Sequence, residues 1–310
     1  MTTQVEKQTF IFSAADDTQI YCHRWPVDKP VAIVQLVHGG AEHAGRYQRL
    51  ARALNSRGYA VYAEDHRGHG RTGEINTSLG DMGEANAFER VCDDVLALGR
   101  RAKTEYPGIP LIIIGHSLGS LIVQRILLQH SQEYAAAVLS GSPDITAIAA
   151  AAELVHAEVD RVGRDQVSEV LDTATMENFA AAIPNAETPL DWLSRDRQQL
   201  QLYADDPWCG YALCAGVWQD LIAAMLVTTE ISAVAATLRR DLPVYILSGS
   251  DDPVHDNWAA IDRLAGNYRQ CGLRDVTVKS YAGGRHEMFN EINREDVVAE
   301  LLEWLDSKLS

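Results

Sequence analysis

Short apolar runs rich in β-branched residues alternate with helix-forming segments along most of this 310-residue chain. The run VAIVQLV at 31–37 has only one polar residue, which is typical of a strand covered on both faces of a sheet. The same reading predicts strands at 59–65, 110–115, 135–141, 242–249 and 276–283, and helices at about 45–57, 85–105, 118–130, 255–270 and 292–308. This alternation predicts parallel β-α units, with helices on both faces of one sheet.

Two segments depart from the alternation. The first 25 residues alternate apolar and polar positions around a turn at Ala15-Asp16-Asp17, which predicts an antiparallel hairpin. From 144 to 238 the chain is alanine-rich and helix-forming, and no strand-like run stands out. We therefore expect an α/β core built from residues 1–143 and 239–310, with residues 144–238 as a helical insertion.

Composition excludes several classes of protein. With 46% hydrophobic and 23% charged residues, the chain has the composition of a soluble globular protein. A net charge of −16 argues against a nucleic-acid partner, because phosphate backbones are bound through clustered Lys and Arg. The N-terminal residues lack the apolar run of a secretory signal, and no segment approaches the ~18 apolar residues of a membrane span. A cytoplasmic protein is expected.

The five cysteines are odd in number and scattered, which indicates reduced thiols; they are Cys22, Cys92, Cys209, Cys214 and Cys271. A zinc site on Cys209 and Cys214 is not expected, because structural zinc needs four ligands and no second pair is present.

The stretch IIIGHSLGSLIVQ at 112–124 passes from a predicted buried strand to a predicted buried helix through Gly-x-Ser-x-Gly. Such a turn is so tight that its flanking residues must be small, which explains Gly115 and Gly119. Ser117 then stands at the apex, with its hydroxyl held over the end of the sheet. The Leu118 amide, at the start of the helix, could donate a hydrogen bond to an oxyanion. The motif predicts a nucleophile elbow.

A serine nucleophile needs a base and an orienting carboxylate. In α/β-hydrolases these follow the serine in the order acid, then histidine, on loops after later strands. The loop after the strand at 242–249 holds Asp251 and Asp252, and the loop after the strand at 276–283 holds His286. Chain order therefore predicts His286 as the base and leaves both aspartates as candidates for the acid.

The other histidines have less specific interpretations. His66-x-x-His69 beside Asp65 is a weak metal motif, because nothing else in the sequence completes a ligand set. These two residues are expected to shape loops beside the site, as are His38 and His43. His116 is expected to pack near the elbow, and ordinary surface or satisfied positions are expected for His23, His130 and His156. The chemistry requires neither a metal nor an organic cofactor.

A second oxyanion donor is expected from the loop HGGAEH at 38–43, where small residues let the backbone approach a substrate carbonyl. We assign it to the amide of Gly40, with Ala41 as the alternative.

Taken together, HGGAEHAGRY, DHRGHGRTG, GHSLG, LSGSDDPV and GGRHEMFNE resemble the monoacylglycerol lipase and lysophospholipase-like branch of the α/β-hydrolase superfamily. The resemblance runs from about residue 8 to 305 and is weaker in the insertion. It implies an α/β-hydrolase fold with Ser117 as nucleophile and His286 as base. The family's G-x-x-D pattern starts at Gly249 and so implies Asp252 as the acid. The family's HG-x-G-E-H loop has one departure, Ala41 in place of glycine, and the extra methyl is expected to narrow the space beside the oxyanion hole.

The resemblance also implies that residues 144–238 form a cap over the site. Its apolar stretches 145–155 and 217–227 either line an acyl-binding channel or pack the cap on the core, since every helix must bury one face. Such a cap suits a substrate held in membranes or micelles. Because the chain is acidic, contact with them is expected to be transient at most.

The function expected is hydrolysis of the ester of a single-acyl-chain lipid, a monoacylglycerol or lysophospholipid, by a serine esterase. An alternative keeps the same triad in a short-chain carboxylesterase, a thioesterase or an amidase, because fold and triad do not determine substrate. A non-catalytic binding module is the third hypothesis. The expected partner is a small acyl ester or lipid, and the sequence does not predict the oligomeric state.

Overall fold

The computed structural model of the chain describes residues 6–76, 78–229, 237–256 and 258–309. Within them, eight strands form one sheet in the order β1-β2-β4-β3-β5-β6-β7-β8. These are β1 (Gln8–Ser13), β2 (Gln19–Trp25), β3 (Ala32–Val37), β4 (Tyr59–Glu64), β5 (Leu111–His116), β6 (Ala136–Ser140), β7 (Val244–Gly249) and β8 (Val276–Tyr281). Strands β1 and β2 pair antiparallel, and β3 to β8 are parallel to one another. The predicted hairpin and the six predicted parallel strands are confirmed.

The helices of the α/β core alternate with the strands. They are α1 (Gln48–Ser56), α2 (Gly70–Asn76), α3 (Ala87–Glu105) and α4 (Leu118–His130), followed after the insertion by helices at Ala259–Gln270 and Arg294–Leu309. Short 3-10 turns lie at Ala44–Tyr47, Ser131–Glu133, Pro253–His255 and Met288–Asn290. Helix α2 was not expected in the glycine-rich DHRGHGRTGEIN stretch. It forms because Asp65 accepts a hydrogen bond from the first-turn amide of Arg71 at 2.9 Å.

The sheet is buried on both faces. Every residue of β3, β4 and β5 is buried, as continuous apolar runs in parallel strands require. Successive side chains of a strand point to opposite faces, so Ile33 joins the core under α3 and α4, whereas Val34 joins the core under α1 and the C-terminal helix. These two apolar layers hold the sheet rigid, which fixes the positions of the loops at its ends.

The segment between β6 and β7 is helical over much of its described length. Its helices are α5 (Ile145–Ala150), α6 (Ala152–Val162), α7 (Glu169–Asp172), α8 (Asn178–Ala181), α9 (Arg197–Ala204) and α10 (Ala215–Thr229), with a π-helical turn at Thr173–Glu177. The expectation of helix is wrong for 182–196, where the chain forms turns. There, the Asp191 carboxylate accepts hydrogen bonds from the amides of Glu187 and Thr188 at 3.0 and 3.2 Å, replacing the bonds that a helix would make.

Helix α10 connects the inserted helices to the core. Val217, Leu221 and Met225 belong to the same buried apolar cluster as the side chains of α3 and α4, and α5 and α6 contact α10 from the other side. Residues 230–236, close to the predicted boundary at 238, lie outside the described part of the chain. The division into a core and a cap over 144–238 therefore remains a prediction.

The carboxyl ends of the parallel strands bring the candidate residues to one edge of the sheet. The HGGAEH loop follows β3, Ser117 follows β5, and the loops with Asp252 and His286 follow β7 and β8. Ligands of open α/β sheets bind at this edge. None of the helices in the described ranges combines the length and the hydropathy needed to cross a membrane.

We expect Gly249→Ala to lower the free energy of unfolding by at least about 1–3 kcal/mol. A methyl group there would lie 2.0 Å from the backbone carbonyl of Gly284, at the point where the ends of β7 and β8 meet, and backbone cannot move aside as a side chain can. Gly266→Ala is the matched control. It lies in the helix Ala259–Gln270, where the new methyl meets nothing within 4 Å, so alanine should stabilise by up to about 1 kcal/mol. Urea denaturation of both variants tests this, and equal stabilities would contradict it.

Candidate active site

Ser117 occupies a strained turn between β5 and α4. Its φ of 51° and ψ of −119° are sparsely populated for a residue with a side chain, a strain of about 1–3 kcal/mol. The turn is held by the Ser117 amide, which donates to the Ser140 carbonyl of β6 at 2.9 Å. Ser117 is partly exposed, whereas the residues of β5 before it and the first turn of α4 after it are buried. The hydroxyl is thus presented at the sheet edge.

The two glycines of the elbow are required by backbone contacts. A Cβ on Gly115 would lie 2.4 Å from the carbonyl oxygen of Gly119, and a Cβ on Gly119 would lie 2.1 Å from that of Val37 in β3. Both distances are far below van der Waals contact. The reason given from the sequence for small residues at these two positions therefore agrees with the packing.

His286 and Asp252 form a buried pair at the ends of β8 and β7. The distance from His286 Nδ1 to Asp252 Oδ2 is 2.9 Å, so Nδ1 carries the proton and Nε2 has a free lone pair. Asp252 also accepts from the Ser248 hydroxyl at 3.0 Å and from the Val254 amide at 2.9 Å. These bonds fix the carboxylate, and through it the orientation of the imidazole ring.

Charge and burial act in opposite directions on this pair. Burial disfavours ionised Asp252, but the charge of His286 and its hydrogen bond outweigh burial and lower the pKa of Asp252 to about 2. Burial likewise disfavours the imidazolium, but the charge and hydrogen bond of Asp252, followed by the charges of Glu287 and Glu42, raise the pKa of His286 above its ordinary value. The site is therefore suited to hold a proton on His286 after it leaves a nucleophile.

The second candidate acid, Asp251, is placed elsewhere. Its side chain is exposed and bonds to the neighbouring Ser250 hydroxyl at 2.8 Å. Of the two aspartates, Asp252 is the one that bonds His286, so the geometry favours the carboxylate that the G-x-x-D pattern implies.

The ring of His286 also contacts two other rings. The centroid of His116 lies 4.7 Å away, and that of Trp192 lies 5.0 Å away. Burial, followed by the proximity of His286, lowers the pKa of His116 to about 4, so His116 remains neutral beside His286. Trp192 was not singled out from the sequence. Its carbonyl accepts the His286 amide at 3.2 Å.

The HGGAEH loop lies against Ser117. A Cβ placed on Gly39 would be 3.3 Å from the Cβ of Ser117, and Gly40 and Leu118 line the same cavity as Ser117. Within the described ranges, no hydrogen bond uses the amide of Gly40 or of Leu118. Two unengaged backbone donors beside a serine are what an oxyanion hole requires.

Ala41 does not narrow the site as expected, because it is not among the described residues that line the cavity. Its peculiarity is instead a φ of 51°, in the left-handed region that favours glycine. Its carbonyl accepts from the Gly210 amide and from the Tyr203 hydroxyl, both at 3.0 Å, which hold the residue in this conformation. The methyl group affects the energy of the backbone, not the width of the site.

A cavity of about 290 Å³ opens from Ser117 between the sheet edge and the inserted helices. Both apolar stretches predicted for a channel contribute, with Ile148, Leu154 and Val155 from the first and Trp218, Leu221 and Ile222 from the second. Leu221 also packs in the main core, so these stretches both line the cavity and pack on the core. The lining is predominantly apolar; Ser117 and His286 line it from the sheet edge, and Asp144 and Thr175 are polar members from the segment after β6.

The histidines of the two motif loops brace those loops. The rings of His38 and His66 stack 3.8 Å apart, and His38 Nε2 accepts the His66 amide at 3.0 Å. Burial lowers the pKa of His69 to about 3, and His69 Nδ1 donates to the Arg67 carbonyl at 2.8 Å. His23 is buried and bonds Asp65 at 3.3 Å. These contacts agree with the expected structural role.

His43, Asp206 and Cys209 bring potential metal-ligand atoms within 4.8 Å of one another. However, His43 Nδ1 accepts a hydrogen bond from the Gly45 amide at 3.2 Å, so Nε2 carries the proton and donates it to Asp206 at 2.9 Å. Burial raises the pKa of the Cys209 thiol, which opposes a thiolate ligand. The group therefore fits a hydrogen bond between the HGGAEH loop and the segment after α9 better than a metal centre.

Sequence reasoning missed a charged cluster beneath the site, formed by Glu42, Arg46 and Glu287. The Arg46 guanidinium makes two hydrogen bonds of 2.7 Å to the Glu287 carboxylate and also pairs with Glu42. All three residues were present in the quoted motifs HGGAEHAGRY and GGRHEMFNE. The sequence did contain one indication of this cluster, namely charged residues within segments that are expected to be buried. However, no local spacing predicts that Arg46 and Glu287, which are 241 positions apart, will be in contact.

The chain is similar to known hydrolases along nearly its whole length. The family described as serine aminopeptidase, S33 (Hydrolase_4) matches residues 28–293. A monoacylglycerol lipase of Mycolicibacterium smegmatis is 32% identical over 305 residues, which cover 96% of each chain. The monoglyceride lipase of Homo sapiens is 28% identical over 286 residues, which cover 90% of this chain and 83% of that protein.

Solved structures give the same picture of the fold. A carboxyl esterase from Bacillus coagulans has a TM-score of 0.88 at 24% identity, covering 98% of this chain and 99% of that one. A structure described as a lipase in its open form has a TM-score of 0.87 at 26% identity, covering 98% and 100%. The predicted α/β-hydrolase fold, with its mostly parallel sheet, is confirmed.

We expect Asp252→Asn to lower kcat/KM for an ester by about 10²–10⁴-fold, because an amide can neither stabilise the imidazolium nor fix the tautomer of His286. Asp251→Asn is the matched control and should stay within about twofold of the wild type, because Asp251 is exposed and does not contact the base. Steady-state kinetics on a nitrophenyl ester measure both, and a larger loss in the control would reverse the assignment.

We expect Ala41→Gly to raise the free energy of unfolding by about 1 kcal/mol, because glycine tolerates the left-handed backbone at this position. Ala53→Gly, within α1, should have the opposite sign and lower it by a similar amount. Thermal and urea denaturation of the two variants provide the measurement. A destabilised Ala41→Gly would show that the methyl contacts outweigh the backbone strain.

Proposed function

The chain belongs to the serine aminopeptidase S33 family, and from this premise we propose that it hydrolyses the ester of a single-acyl-chain lipid, a monoacylglycerol or a lysophospholipid. It is a carboxylic ester hydrolase, the class to which its monoacylglycerol lipase relatives belong. The observation that carries the substrate proposal is the apolar cavity of about 290 Å³ that begins at Ser117, since an acyl chain gains free energy by leaving water for such a cavity.

The proposed mechanism forms an acyl-enzyme on Ser117. His286 Nε2 takes the proton of the Ser117 hydroxyl while its oxygen attacks the ester carbonyl carbon. The amides of Gly40 and Leu118 donate to the resulting oxyanion, and the ion pair with Asp252 stabilises the imidazolium. The C–O bond then breaks as His286 returns the proton to the leaving alcohol. Water attacks the acyl-enzyme by the same route and releases the fatty acid.

The apolar side chains of the inserted helices support one orientation of the substrate. Because side chains of α5, α6 and α10 line the cavity, the acyl chain would lie among them, with the ester at Ser117 on the sheet edge. Each buried methylene contributes about 0.8 kcal/mol, or roughly a fourfold increase in kcat/KM. The rate should therefore rise with chain length until the cavity is filled.

The exposed apolar residues of the inserted helices are consistent with brief contact with micelles or membranes. Leu154 lines the cavity and is 42% exposed, and Leu226 and Val227 on α10 are 45% and 51% exposed. The net charge of −16 opposes lasting adsorption to an anionic surface. We propose that the substrate is taken from an aggregate without stable membrane binding.

The test is a hydrolysis panel of monoacylglycerols, lysophospholipids and nitrophenyl esters of increasing chain length, with wild type and Ser117→Ala. We expect wild-type kcat/KM to peak on a medium or long single chain. The variant should lose at least about 10³-fold, because no other group in the site can form the acyl-enzyme. Ser142→Ala is the control, a buried serine at the same sheet edge without a proposed catalytic role.

Other outcomes separate the alternatives. Activity confined to the shortest esters would indicate a short-chain carboxylesterase, and preference for thioesters or amides would indicate a thioesterase or an amidase. Full activity in Ser117→Ala would rule out the acyl-enzyme. A wild type that neither turns over any ester nor reacts with a serine-directed fluorophosphonate would indicate a binding module.

A further inference from the structure

We infer that Glu42 and Arg46 are positioning residues for the ester reaction. Together with Glu287 they form an ion-paired bridge, the Glu42–Arg46–Glu287 bridge, which holds the oxyanion loop (residues 38–43) against the histidine loop (residues 282–291). The inference rests on the proposed function, because it assigns the bridge the task of placing the Gly40 amide and His286 around one reacting carbonyl.

Glu42 of the bridge and His38 together hold Gly39, the residue before the Gly40 amide. Glu42 is 2% exposed, and its Oε1 accepts from the Gly39 amide at 2.6 Å and from the Tyr47 hydroxyl at 2.7 Å. On the other side of Gly39, His38 Nδ1 donates to the Gly39 carbonyl at 2.7 Å. In a planar trans peptide the carbonyl and the following N–H point in opposite directions, so fixing the Gly39 carbonyl also fixes the Gly40 N–H.

Arg46 transmits that position to the catalytic histidine. Its two terminal nitrogens each donate to one oxygen of the Glu287 carboxylate at 2.7 Å, and Nη1 also pairs with Glu42. A two-pronged contact of this kind fixes an angle as well as a distance, which a single ammonium cannot do. Glu287 directly follows His286, so the bridge connects the oxyanion loop to the base through three side chains.

The inserted segment contacts the bridge and both of the loops that it joins. The guanidinium of Arg46 lies 4.8 Å from the centroid of the Tyr203 ring, and the Tyr203 hydroxyl donates to the Ala41 carbonyl at 3.0 Å. The Glu287 amide donates to the Leu193 carbonyl at 2.7 Å. The oxyanion loop, the histidine loop and the inserted segment are therefore fixed at one charged centre.

The charge of the bridge also acts on the reaction. Two carboxylates share one guanidinium, which leaves an excess negative charge close to His286. After Asp252, Glu287 and Glu42 are the groups that raise the pKa of His286. The other charged or titratable neighbours of that ring are Asp252, which pairs with it, and His116, which is neutral. The excess charge favours the imidazolium that forms as the serine attacks.

A purely structural role would give different kinetics, and a neighbouring ion pair provides the control. Arg195 bonds Glu291 at 3.0 Å on the same histidine loop, and this pair makes no contact with the oxyanion loop in the part of the chain described. Arg195→Lys therefore measures how much kcat changes when an ion pair near His286 is weakened without affecting the oxyanion loop. Arg46→Lys keeps the positive charge but loses the two-pronged contact.

The experiment measures kcat, KM and pH dependence on nitrophenyl butyrate, the rate of labelling by a fluorophosphonate, and the unfolding midpoint. Arg46→Lys should lower kcat at least tenfold with KM within about twofold, since removing one oxyanion donor lowers kcat by about 10²–10³-fold. Arg195→Lys should leave kcat within about twofold of the wild type. The Arg46→Lys protein should still show one cooperative unfolding transition.

The pH profile tests the charge separately. His286 must be neutral to act as a base, so activity falls at acidic pH as it becomes protonated. Because Glu287 raises the pKa of His286, Glu287→Gln should move the acidic limb of kcat/KM to lower pH, whereas Arg46→Lys should leave it in place. Glu42→Gln keeps an acceptor for the Gly39 amide and should retain more kcat than Glu42→Leu, which has none.

Three results would overturn the inference: equal losses in Arg46→Lys and Arg195→Lys, a loss in KM alone, or an acidic limb that does not move in Glu287→Gln. A failure of the lipid proposal can be distinguished from a failure of the bridge, because nitrophenyl butyrate and the fluorophosphonate need only the triad and the oxyanion hole. A wild type inert to both reagents would overturn the bridge and the proposed function together.

Discussion

The structure depends on a contact between backbones at the end of the sheet, where α4 starts directly against β3. Gly119 lies so close to the Val37 carbonyl that a single methyl group would separate the helix from the strand. Because α4 starts this close to β3, Ser117, between β5 and α4, adopts a positive φ of 51°. Its side chain is partly exposed, because the elements on either side are packed without space for side chains.

The same crowding places the partners of Ser117. Because β3 pairs with β5, the loop after β3 passes beside the elbow, and Gly39 approaches Ser117 closely. At the ends of β7 and β8, the close approach of Gly249 to Gly284 holds the Asp252 and His286 loops together. Packing of the two apolar layers fixes which strands and loops lie beside one another. Buried hydrogen bonds and ion pairs then fix the orientation of the side chains in those loops.

The sequence predicts the parts of this arrangement that have short-range causes. The elbow is encoded within five residues, and the order of acid and base follows from the alternation of strands and helices. The Glu42–Arg46–Glu287 bridge could not be predicted, because its partners lie 241 residues apart and charged residues in loops are usually solvated. The turns at 182–196 were missed for a related reason: the capping of this segment by Asp191 depends on side-chain geometry that helix propensity does not describe.

In the proposed reaction, the segment between β6 and β7 contributes both to the cavity and to the charged groups beside Ser117. Ile148, Leu154 and Trp218 line the cavity, so a change in their volume would alter the space for an acyl chain. Tyr203 touches both, since it lines the cavity, packs on Arg46 and holds the Ala41 carbonyl. In the proposed reaction, an acyl chain that fills the cavity beside Tyr203 would press on the ring that holds the oxyanion loop, so we expect acyl-chain binding to influence the alignment of the proposed oxyanion donors.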